Sequence, residues 1–355
     1  MSAAEPEANT GTTAVRDPHR FDEAALSSWM TTHVEGFAGP LTVRQFKGGQ
    51  SNPTYLVETP RHSYVLRRKP PGQILDGAHA VEREARVLRA LEPTGFPVAH
   101  IHALCTDSSI MGSSFYVMDY IAGRIFWDAT FPNVERAQRH LYFDAMNRTL
   151  AELHRCNYQA IGLEDYGKHG NYIARQIARW SRQYLADTQA GRDRNMDALL
   201  EWLPNNIPVR DETCLVHGDF RSDNLIFHPT EPRIIAVLDW ELSTLGDPLA
   251  DFAYHCLMYR MPPHIVAGLR GAPLAELGIP GEAEYIRAYC SRTQRNGIPD
   301  YAFYLAFNLF RLAAIFHGIK GRVVRGNAAS MHARERAECF PELAELAWAC
   351  RSARA

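Results

Sequence analysis

Polar and apolar residues alternate along the first third of the chain, after a polar start. Three such runs, LTVRQF (41–46), TYLVET (54–59) and SYVLRR (63–68), are separated by Gly, Pro and Asn. Alternation with a period of two between turn residues is typical of antiparallel strands. A more uniformly apolar run, FYVMDY (115–120), predicts a buried strand that ends in a Gly turn. We therefore expect a small antiparallel sheet in this part of the protein.

The period then changes to that of a helix. Within AHAVEREARVLRALEP, Val81, Ala85 and Leu88 recur at helical spacing, and Pro93 ends the helix. From residue 133 onward the apolar residues mostly repeat in the same way, up to the segment YAFYLAFNLFRLAAIF. The pattern predicts an α+β protein with a sheet and a helix in its first part and a larger, mainly helical second part. Residues 1–19 are rich in small, polar and Pro residues, so we expect a flexible leader there.

Candidate catalytic residues lie in segment 213–241. His217 and Asp219 follow the apolar run LVH, Asn224 comes five residues later, and Asp239 lies in the run IIAVLDW. Phosphoryl transfer needs a positioned hydroxyl group and cations that neutralise phosphate oxygens. We therefore expect Asp219 to accept the proton of a substrate hydroxyl, and Asn224 and Asp239 to hold Mg²⁺. His217 is expected to brace the loop. The alternative is that these Asp and Asn residues only cap turns.

The motif HGDFRSDN, together with the triplet LDW, resembles the aminoglycoside phosphotransferase and choline-kinase-like family, small-molecule relatives of the protein kinases. The spacing from Asp219 to Asn224 is that of the kinase pattern H-R-D-x-x-x-x-N. The resemblance implies a protein-kinase-like two-lobed fold that binds ATP and Mg²⁺. It divides the chain into a nucleotide-binding N-lobe at 20–118, a hinge at 119–123, and a catalytic and acceptor-binding C-lobe at 124–355.

The same resemblance assigns nucleotide-binding residues. Arg67 stands where these kinases keep a phosphate-binding Lys, and strand parity favours it over Arg68 and Lys69. Glu84 matches the helix Glu that pairs with that cation, with Glu82 as the alternative. A Gly-rich loop that covers the phosphates, or else a simple hairpin, and a hinge that reads adenine complete the set. These residues are Gly48, Gly49, Gln50, Ser51, Asn52, Met118, Asp119, Tyr120 and Ile121.

Two further carboxylates follow the metal-holding strand, in the segment ELSTLGDPLADF. The resemblance implies that Asp251 supports the catalytic loop by accepting its backbone N–H groups. Asp247 immediately precedes Pro248, so we expect it to cap the start of a helix.

Composition narrows the class of protein. The net charge of -2 argues against a general nucleic-acid or membrane-surface binder. The chain contains seven Cys without a CxxC pair, which fits a reducing compartment and not a disulfide framework. The N-terminus lacks the features of a signal peptide, and no stretch has the ~18 consecutive apolar residues of a membrane span. We therefore expect a cytoplasmic protein, whose oligomeric state the sequence leaves open.

Two features of the sequence indicate which class of molecule accepts the phosphoryl group: local charge and a narrower family resemblance. Residues 257–355 contain 13 Arg and Lys against 8 Asp and Glu, a net charge of +5, which suits an anionic acceptor better than a polycationic aminoglycoside. The candidate acceptor-binding residues, or alternatively a solvated basic loop, are Arg311, Lys320, Arg322 and Arg325.

Phrases such as GGQSNPTYLV and VLDWELSTLGDPLAD are similar to the kinase-like domain that some larger proteins carry fused to an acyl-CoA dehydrogenase. This resemblance implies a hydroxyacyl-CoA-like acceptor. The alternatives are an aminoglycoside or other antibiotic phosphotransferase and a catalytically silent nucleotide-binding module. A protein kinase is disfavoured because no clear activation segment closed by A-P-E follows Asp239.

Overall fold

The computed structural model describes residues 10–48, 52–70, 80–327 and 331–352. Within it the chain forms two compact units. The first consists of Met1–Trp127, Ile161–Leu163 and Asp223–Leu242, and the second consists of Asp128–Ala160, Glu164–Ser222 and Ser243–Ala355.

Segment 223–242 therefore belongs with the first unit, although the predicted division places it in the C-lobe. The reason is backbone pairing. Phe227 and Arg124 exchange two N–H to O=C hydrogen bonds of 2.8 Å, and the Val237 N–H donates to Pro97 O at 2.9 Å. These bonds tie the segment to the part of the chain that precedes Asp128, so the first unit extends past the predicted hinge at 119–123.

The strands are short, as expected of segments bounded by turn residues. They are β1 (Thr12–Thr13), β2 (Thr42–Phe46), β3 (Thr54–Glu58), β4 (Ser63–Arg68), β5 (Ile101–Cys105), β6 (Phe115–Asp119), β7 (Cys214–Val216), β8 (Leu225–Phe227), β9 (Ile234–Val237) and β10 (Thr244–Gly246).

The first unit is built on a six-stranded antiparallel sheet in the order β1-β2-β3-β4-β6-β5. Strand β1 lies in the stretch predicted as a flexible leader, because Thr12 and Thr13 pair with Phe46 and Gln45. The Arg16 N–H also donates to the Gln45 side chain at 3.0 Å. Backbone pairing thus makes residues 12–13 an edge strand of the sheet, which their small polar side chains do not predict.

Helices cover much of the remaining chain. They are α1 (Glu23–His33), α2 (Val81–Leu91), α3 (Ser108–Met111), α4 (Arg139–Arg155), α5 (Tyr172–Ala186), α6 (Arg194–Asn205), α7 (Pro248–Cys256), α8 (Leu274–Leu277), α9 (Glu282–Arg292), α10 (Tyr301–Val324) and α11 (Met331–Cys350). Short 3₁₀ turns lie at Asp17–His19, Glu92–Thr94, Arg136–Gln138, Thr188–Ala190, Ser222–Asn224, Trp240–Leu242 and Leu257–Tyr259.

Each face of the sheet in the first unit has its own helix. Trp29 and Met30 of α1 pack in one hydrophobic cluster with Leu66 of β4. Side chains alternate across a strand, so the next residue, Arg67, faces the other side. There it contacts Glu84 of α2. The sheet thus packs an apolar cluster against α1 and places the buried pair of Arg67 and Glu84 against α2.

The second unit is mainly helical and is centred on α10. This helix packs against α5, α7 and α11, and its buried residues include Phe307, Leu309 and Phe310. It is long and apolar enough to cross a membrane, but 89% of its apolar window is buried inside the protein. That degree of burial is what a core helix requires. A two-stranded ladder of β7 and β10 leads into the candidate catalytic loop.

Candidate active site

In the second unit, the loop after β7 is held by Asp251 of α7. The backbone N–H groups of His217 and Gly218 each donate to a different oxygen of this carboxylate, both at 2.8 Å. Gly218 has φ of 82°, a left-handed conformation that favours glycine. The structure thus brings Asp251 to the loop that the sequence analysis expects it to support.

Asp251 is itself held by a buried histidine. His154 of α4 has Nε2 3.1 Å from Asp251 Oδ2, and its Nδ1 lies 2.7 Å from the Tyr289 hydroxyl. Burial acts to raise the pKa of Asp251, but the hydrogen bond and charge of His154 outweigh it and hold that pKa below its ordinary value. The carboxylate is therefore ionised when it receives the loop N–H groups.

Asp219, the candidate proton acceptor, contacts two side chains of the same unit. The Tyr254 hydroxyl of α7 donates to Asp219 Oδ1, and Arg221 Nε lies 3.4 Å from the same oxygen. The Asp219 N–H donates to Nδ1 of the fully buried His217 at 3.2 Å, so His217 braces the loop from inside. Burial and the neighbouring Asp219 raise the pKa of Tyr254, which remains a hydrogen-bond donor.

The four predicted acceptor-binding residues do not form one basic patch. Arg311 is buried, donates from Nη2 to Gly218 O at 2.8 Å and lies over the Tyr254 ring. Arg325 pairs with Asp187 through both terminal nitrogens, at 2.7 and 2.9 Å. Lys320 lies over the Phe340 ring, and Arg322 is exposed. Arg311 and Arg325 are separated by 14 positions, about 21 Å along the helix axis. Arg311 thus supports the catalytic loop.

In the first unit, β8 and β9 form the hairpin that carries the candidate metal ligands. Asn224 ends a 3₁₀ turn before β8, and Asp239 follows β9. The Leu238 N–H donates to Asn224 O at 2.8 Å, which brings the two ends of the hairpin together. Asp239 has φ of 62°, a left-handed conformation that is uncommon outside glycine and that often marks functional positions.

Arg67 lies among three carboxylates of the first unit. Its Nε is 2.7 Å from Glu84 Oε2, and its Nη2 is 2.7 Å from Asp239 Oδ1 and 3.7 Å from Glu241 Oε2. Burial acts to lower the pKa of Arg67, but the negative charges of Glu84 and Asp239 more than offset this effect and raise the pKa, so the guanidinium stays charged. Arg68 instead donates to Ser113 Oγ at 3.0 Å. Among the predicted candidates, Arg67 and Glu84 are thus a pair that the structure brings into contact.

Glu84 has two further buried partners. Asn52 Nδ2 donates to Glu84 Oε1 at 2.9 Å, and the Tyr116 hydroxyl donates to Oε2 at 3.2 Å. Burial raises the pKa of Glu84, and the Arg67 guanidinium opposes that rise. Asn52 is fully buried. Its side-chain amide therefore supports Glu84, and its role toward a nucleotide stays a prediction.

The other predicted nucleotide-binding residues divide into three groups. Gly48 is partly buried after β2, whereas Gly49, Gln50 and Ser51 lie outside the described residues. In the predicted hinge, the Asp119 and Tyr120 N–H groups donate to His100 O and Ser63 O at 3.0 and 3.3 Å. Those two donors are therefore engaged within the sheet. Met118 and Ile121 are partly buried beside them.

The first-unit cluster fits a magnesium ion by its donor chemistry. Asn224 and Asp239 offer amide and carboxylate oxygens, the ligand type that Mg²⁺ prefers. Three carboxylates surround the single guanidinium of Arg67, so these contacts leave an excess of negative charge. A divalent cation offsets such an excess, which would otherwise repel a triphosphate.

Several supporting residues escaped the sequence analysis. Tyr254 and His154 lie at helical positions where a core residue is equally expected, so only three-dimensional packing reveals their partners. Tyr116 is directly opposite Arg67 in the β4–β6 pair. Glu241 lies two residues after Asp239 in LDWE. A second acidic residue so near the predicted metal ligand is the sequence signal that could have identified it.

Comparisons with known proteins identify the family of this chain. The model of the phosphotransferase enzyme family APH matches residues 42–307. Acyl-CoA dehydrogenase family member 10 of Mus musculus is 44% identical over 328 residues, which are 92% of this chain and 30% of that protein. Probable acyl-CoA dehydrogenase IBR3 of Arabidopsis thaliana is 45% identical over 339 residues, 90% of this chain and 41% of that protein. The chain thus spans well under half the length of these two relatives.

A crystal structure from Ralstonia eutropha, provisionally named an aminoglycoside phosphotransferase, has 50% identity and a TM-score of 0.86. The match covers 94% of this chain and 98% of that one. Both the kinase-like fold and the predicted resemblance to the domain of acyl-CoA dehydrogenase relatives are therefore confirmed. With three quarters of its length matched by the family model, this chain belongs to the APH phosphotransferase enzyme family, and its fold is that of a small-molecule kinase.

Proposed function

We propose that the protein transfers the γ-phosphoryl group of ATP to a hydroxyl group of a small molecule, with Mg²⁺ as cofactor. The observation that carries the proposal is Arg67, which contacts both Glu84 and Asp239. One cation thus connects the predicted partner of the phosphate-binding residue with the predicted metal ligand. A purely structural ion pair would need only one of these carboxylates.

Each residue has a defined task in this reaction. Asp219 accepts the proton of the acceptor hydroxyl as its oxygen attacks the γ-phosphorus and ADP leaves, and the Tyr254 hydroxyl fixes the orientation of the Asp219 carboxylate. Asn224 and Asp239 would hold Mg²⁺, which when bound neutralises charge on the phosphate oxygens. Arg67 is assigned to phosphate oxygens because the N–H fork of a guanidinium binds such anions well.

We further propose an acceptor of the hydroxyacyl-CoA class. The two curated relatives are named as acyl-CoA dehydrogenases, and the matched region covers only 30% and 41% of their lengths. A kinase domain that shares a chain with such an enzyme is well placed to act on a related acyl-CoA. The net charge of +5 over residues 257–355 also favours an anionic acceptor. Arg311 and Arg325 no longer contribute to this argument, since both are engaged within the protein.

A panel assay tests the acceptor class. Purified protein is incubated with Mg²⁺, γ-labelled ATP and equal concentrations of 3-hydroxyacyl-CoAs of several chain lengths or of aminoglycosides such as kanamycin. We expect label in the acyl-CoA fraction, and none with Asp219→Asn. Preferential labelling of kanamycin would instead favour an antibiotic phosphotransferase, the activity suggested by the name of the Ralstonia eutropha structure.

A catalytically silent nucleotide-binding module is the second candidate function. The observation that favours it is the substitution of Arg67 for the usual Lys, together with its ion pair to Asp239. Magnesium-dependent binding of ATP without phosphoryl transfer to any hydroxyl acceptor would support this alternative. Transfer that depends on Asp219 would exclude it.

A further inference from the structure

Two histidines and an aspartate converge at one end of the sheet in the first unit. Nε2 of His102 lies 2.8 Å from Asp119 Oδ1, and Nε2 of His62 lies 3.2 Å from the same oxygen. One ligand atom from each of the three residues lies within 4.8 Å of the other two. The proposed phosphoryl transfer does not use any of these three side chains.

Strand register explains why the three side chains meet. Asp119 ends β6, opposite Tyr64 of β4, and His62 immediately precedes β4. His102 lies in β5 at a register shift between Ile101 and Ala103. Such a bulge redirects a side chain. Strands β6 and β5 and the residue that precedes β4 therefore each contribute one group to the same place.

Aromatic packing supports the two imidazoles of the cluster, and its carboxylate is negatively charged. The Tyr64 ring lies 4.4 Å from the His62 ring and 5.1 Å from the His102 ring, centroid to centroid, so it supports both imidazoles. Partial burial acts to raise the pKa of Asp119, but the hydrogen bonds from His102 and His62 outweigh it and lower that pKa. The carboxylate is therefore ionised at neutral pH.

We propose that His62, His102 and Asp119 form a binding site for a divalent transition-metal ion of the Zn²⁺ type. Imidazole nitrogen suits such ions, which also accept a carboxylate oxygen, whereas Mg²⁺ takes oxygen ligands. Ligand atoms about 2.0 Å from a tetrahedral ion are roughly 3.3 Å apart, close to the 2.8 and 3.2 Å separations seen between these nitrogens and Asp119 Oδ1. Three protein ligands leave the fourth position to water.

Metal binding at Nε2 requires each imidazole to lose the proton that it donates to Asp119. A neutral imidazole instead carries its proton on Nδ1, and a doubly protonated one releases the Nε2 proton to solvent, so the bound imidazoles are neutral. His62 is about half exposed and lies before the strand, so its ring can turn toward the ion with little disturbance of the sheet. The bound ion would cross-link β5, β6 and the residue that precedes β4 at the start of the predicted hinge at 119–123.

Titration of the full chain tests the site. Protein freed of metal with a chelator is placed in excess Mg²⁺, then titrated with Zn²⁺ by calorimetry and with Co²⁺ by visible absorption. We expect one ion per chain, with the intense visible bands of tetrahedral Co²⁺. Loss of one ligand in His102→Ala or His62→Ala should weaken binding at least about tenfold, the range found even for outer-shell partners of metal ligands.

His264→Ala is the matched control. His264 is also exposed and also contacts a carboxylate, with Nε2 2.8 Å from Glu342 Oε2, but it has no part in the cluster. Its removal should leave the affinity unchanged. Circular dichroism of each variant confirms folding, and His62→Ala decides the test if the less exposed His102→Ala fails to fold. Absence of tetrahedral Co²⁺ bands in the wild type, or equal Zn²⁺ affinity in a folded His62→Ala protein, would overturn the proposal.

Discussion

Arg67 combines charge and shape in a way that Lys does not. Its guanidinium contacts Glu84 through Nε and Asp239 through Nη2, in two different directions at once. A lysine ammonium is a point charge at the end of a flexible chain. The substitution of Arg for the usual Lys therefore gives this protein a rigid connection between α2 and the segment after β9.

Removal of that guanidinium should destabilise the first unit. In Arg67→Met, the 1% exposed Glu84 loses its counterion, and breaking a buried pair costs about 3–5 kcal/mol of the free energy of unfolding. Burial already raises the pKa of Glu84. A group with a raised pKa favours folding at low pH and loses that contribution as pH rises. The loss should thus be larger at pH 8 than at pH 5, as measured by urea unfolding.

Arg61→Met, which removes an exposed arginine from the loop before β4, is the control for this experiment. It should change the free energy of unfolding by less than about 0.5 kcal/mol. A pH-independent loss in Arg67→Met would contradict the assigned role of Glu84.

Tyr254 is predicted to orient the candidate base. Tyr254→Phe removes only the hydroxyl that donates to Asp219 Oδ1, while the ring remains under Arg311. A hydrogen bond to a charged group contributes about 1.5–3 kcal/mol, so kcat should fall by at least about tenfold with little change in KM for ATP. Tyr259→Phe, which loses a hydrogen bond to Pro280 O, should retain kcat. Equal kcat in both variants would show that Tyr254 has no positioning role.

Sequence reasoning succeeded at residues whose spacing is imposed by chemistry. Arg67 and Glu84 were assigned by the family resemblance, with strand parity favouring Arg67 over its neighbours, and the structure brings the two residues together. The prediction of an acceptor-binding role was wrong for Arg311. The sequence of an apolar helix does not indicate whether a basic side chain turns toward solvent or toward a backbone carbonyl. The sequence likewise gives no sign that the Asn52 amide is buried, since its partner Glu84 lies in α2, which is distant in sequence.

Helix α7 places two carboxylates in opposite electrostatic settings. Asp247 caps the helix, as predicted, by accepting the N–H groups of Leu249 and Ala250 at 2.8 and 3.1 Å. Burial raises its pKa to about 6. Asp251, one turn later, has a lowered pKa because of His154. At the start of this helix, burial therefore disfavours the ionised form of Asp247, whereas its partners favour the ionised form of Asp251.

Replacement of each by Asn should give opposite pH dependences. Asn keeps the cap at position 247. In the wild type, the ionised Asp247 carboxylate destabilises the fold increasingly as pH rises from 4 to 7, and Asn removes that charge. The free energy of unfolding of Asp247→Asn relative to wild type should therefore increase on the order of 2 kcal/mol over that range. Asp251→Asn removes a group whose stabilising contribution is present above about pH 4 and is lost below it. Its deficit should be largest at neutral pH and shrink in acid.

Chemical denaturation of the three proteins between pH 3.5 and 7.5 provides the measurement. Parallel pH curves for the two variants would contradict the assigned environments. The expected difference in sign makes each variant a control for the other, since both substitutions are isosteric and lie on one helix.

At the scale of elements, the strands with alternating patterns and the amphipathic helix α2 were predictable from the sequence. Strand β1 was not, because two threonines in a polar segment become a strand only through pairing with β2. Nor could the sequence predict that segment 223–242 joins the first unit. That assignment depends on backbone hydrogen bonds to Arg124 and Pro97, and such bonds leave no side-chain signal.

At the scale of the whole molecule, the family follows from motifs, whereas the acceptor does not. The HGDFRSDN and LDW motifs are constrained by phosphoryl transfer itself, so they identify the class of reaction from sequence. Local charge does not identify an acceptor, because basic residues such as Arg311 and Arg325 are engaged in contacts within the protein. The relatives named as acyl-CoA dehydrogenases therefore contribute more to the proposed acceptor than local charge does.

Phosphoryl transfer from ATP in wild type and in Asp219→Asn most directly tests the central claim that this chain is a small-molecule kinase. Both proteins are assayed with Mg²⁺, labelled ATP and the best acceptor of the panel, and nucleotide binding is measured in parallel to establish that the variant is intact. We expect Mg²⁺-dependent labelling of the acceptor by the wild type and a loss of about 100-fold or more, typical of a missing general base, in the variant. Equal transfer by the two proteins, or ATP binding by the wild type with no transfer to any hydroxyl, would contradict the account.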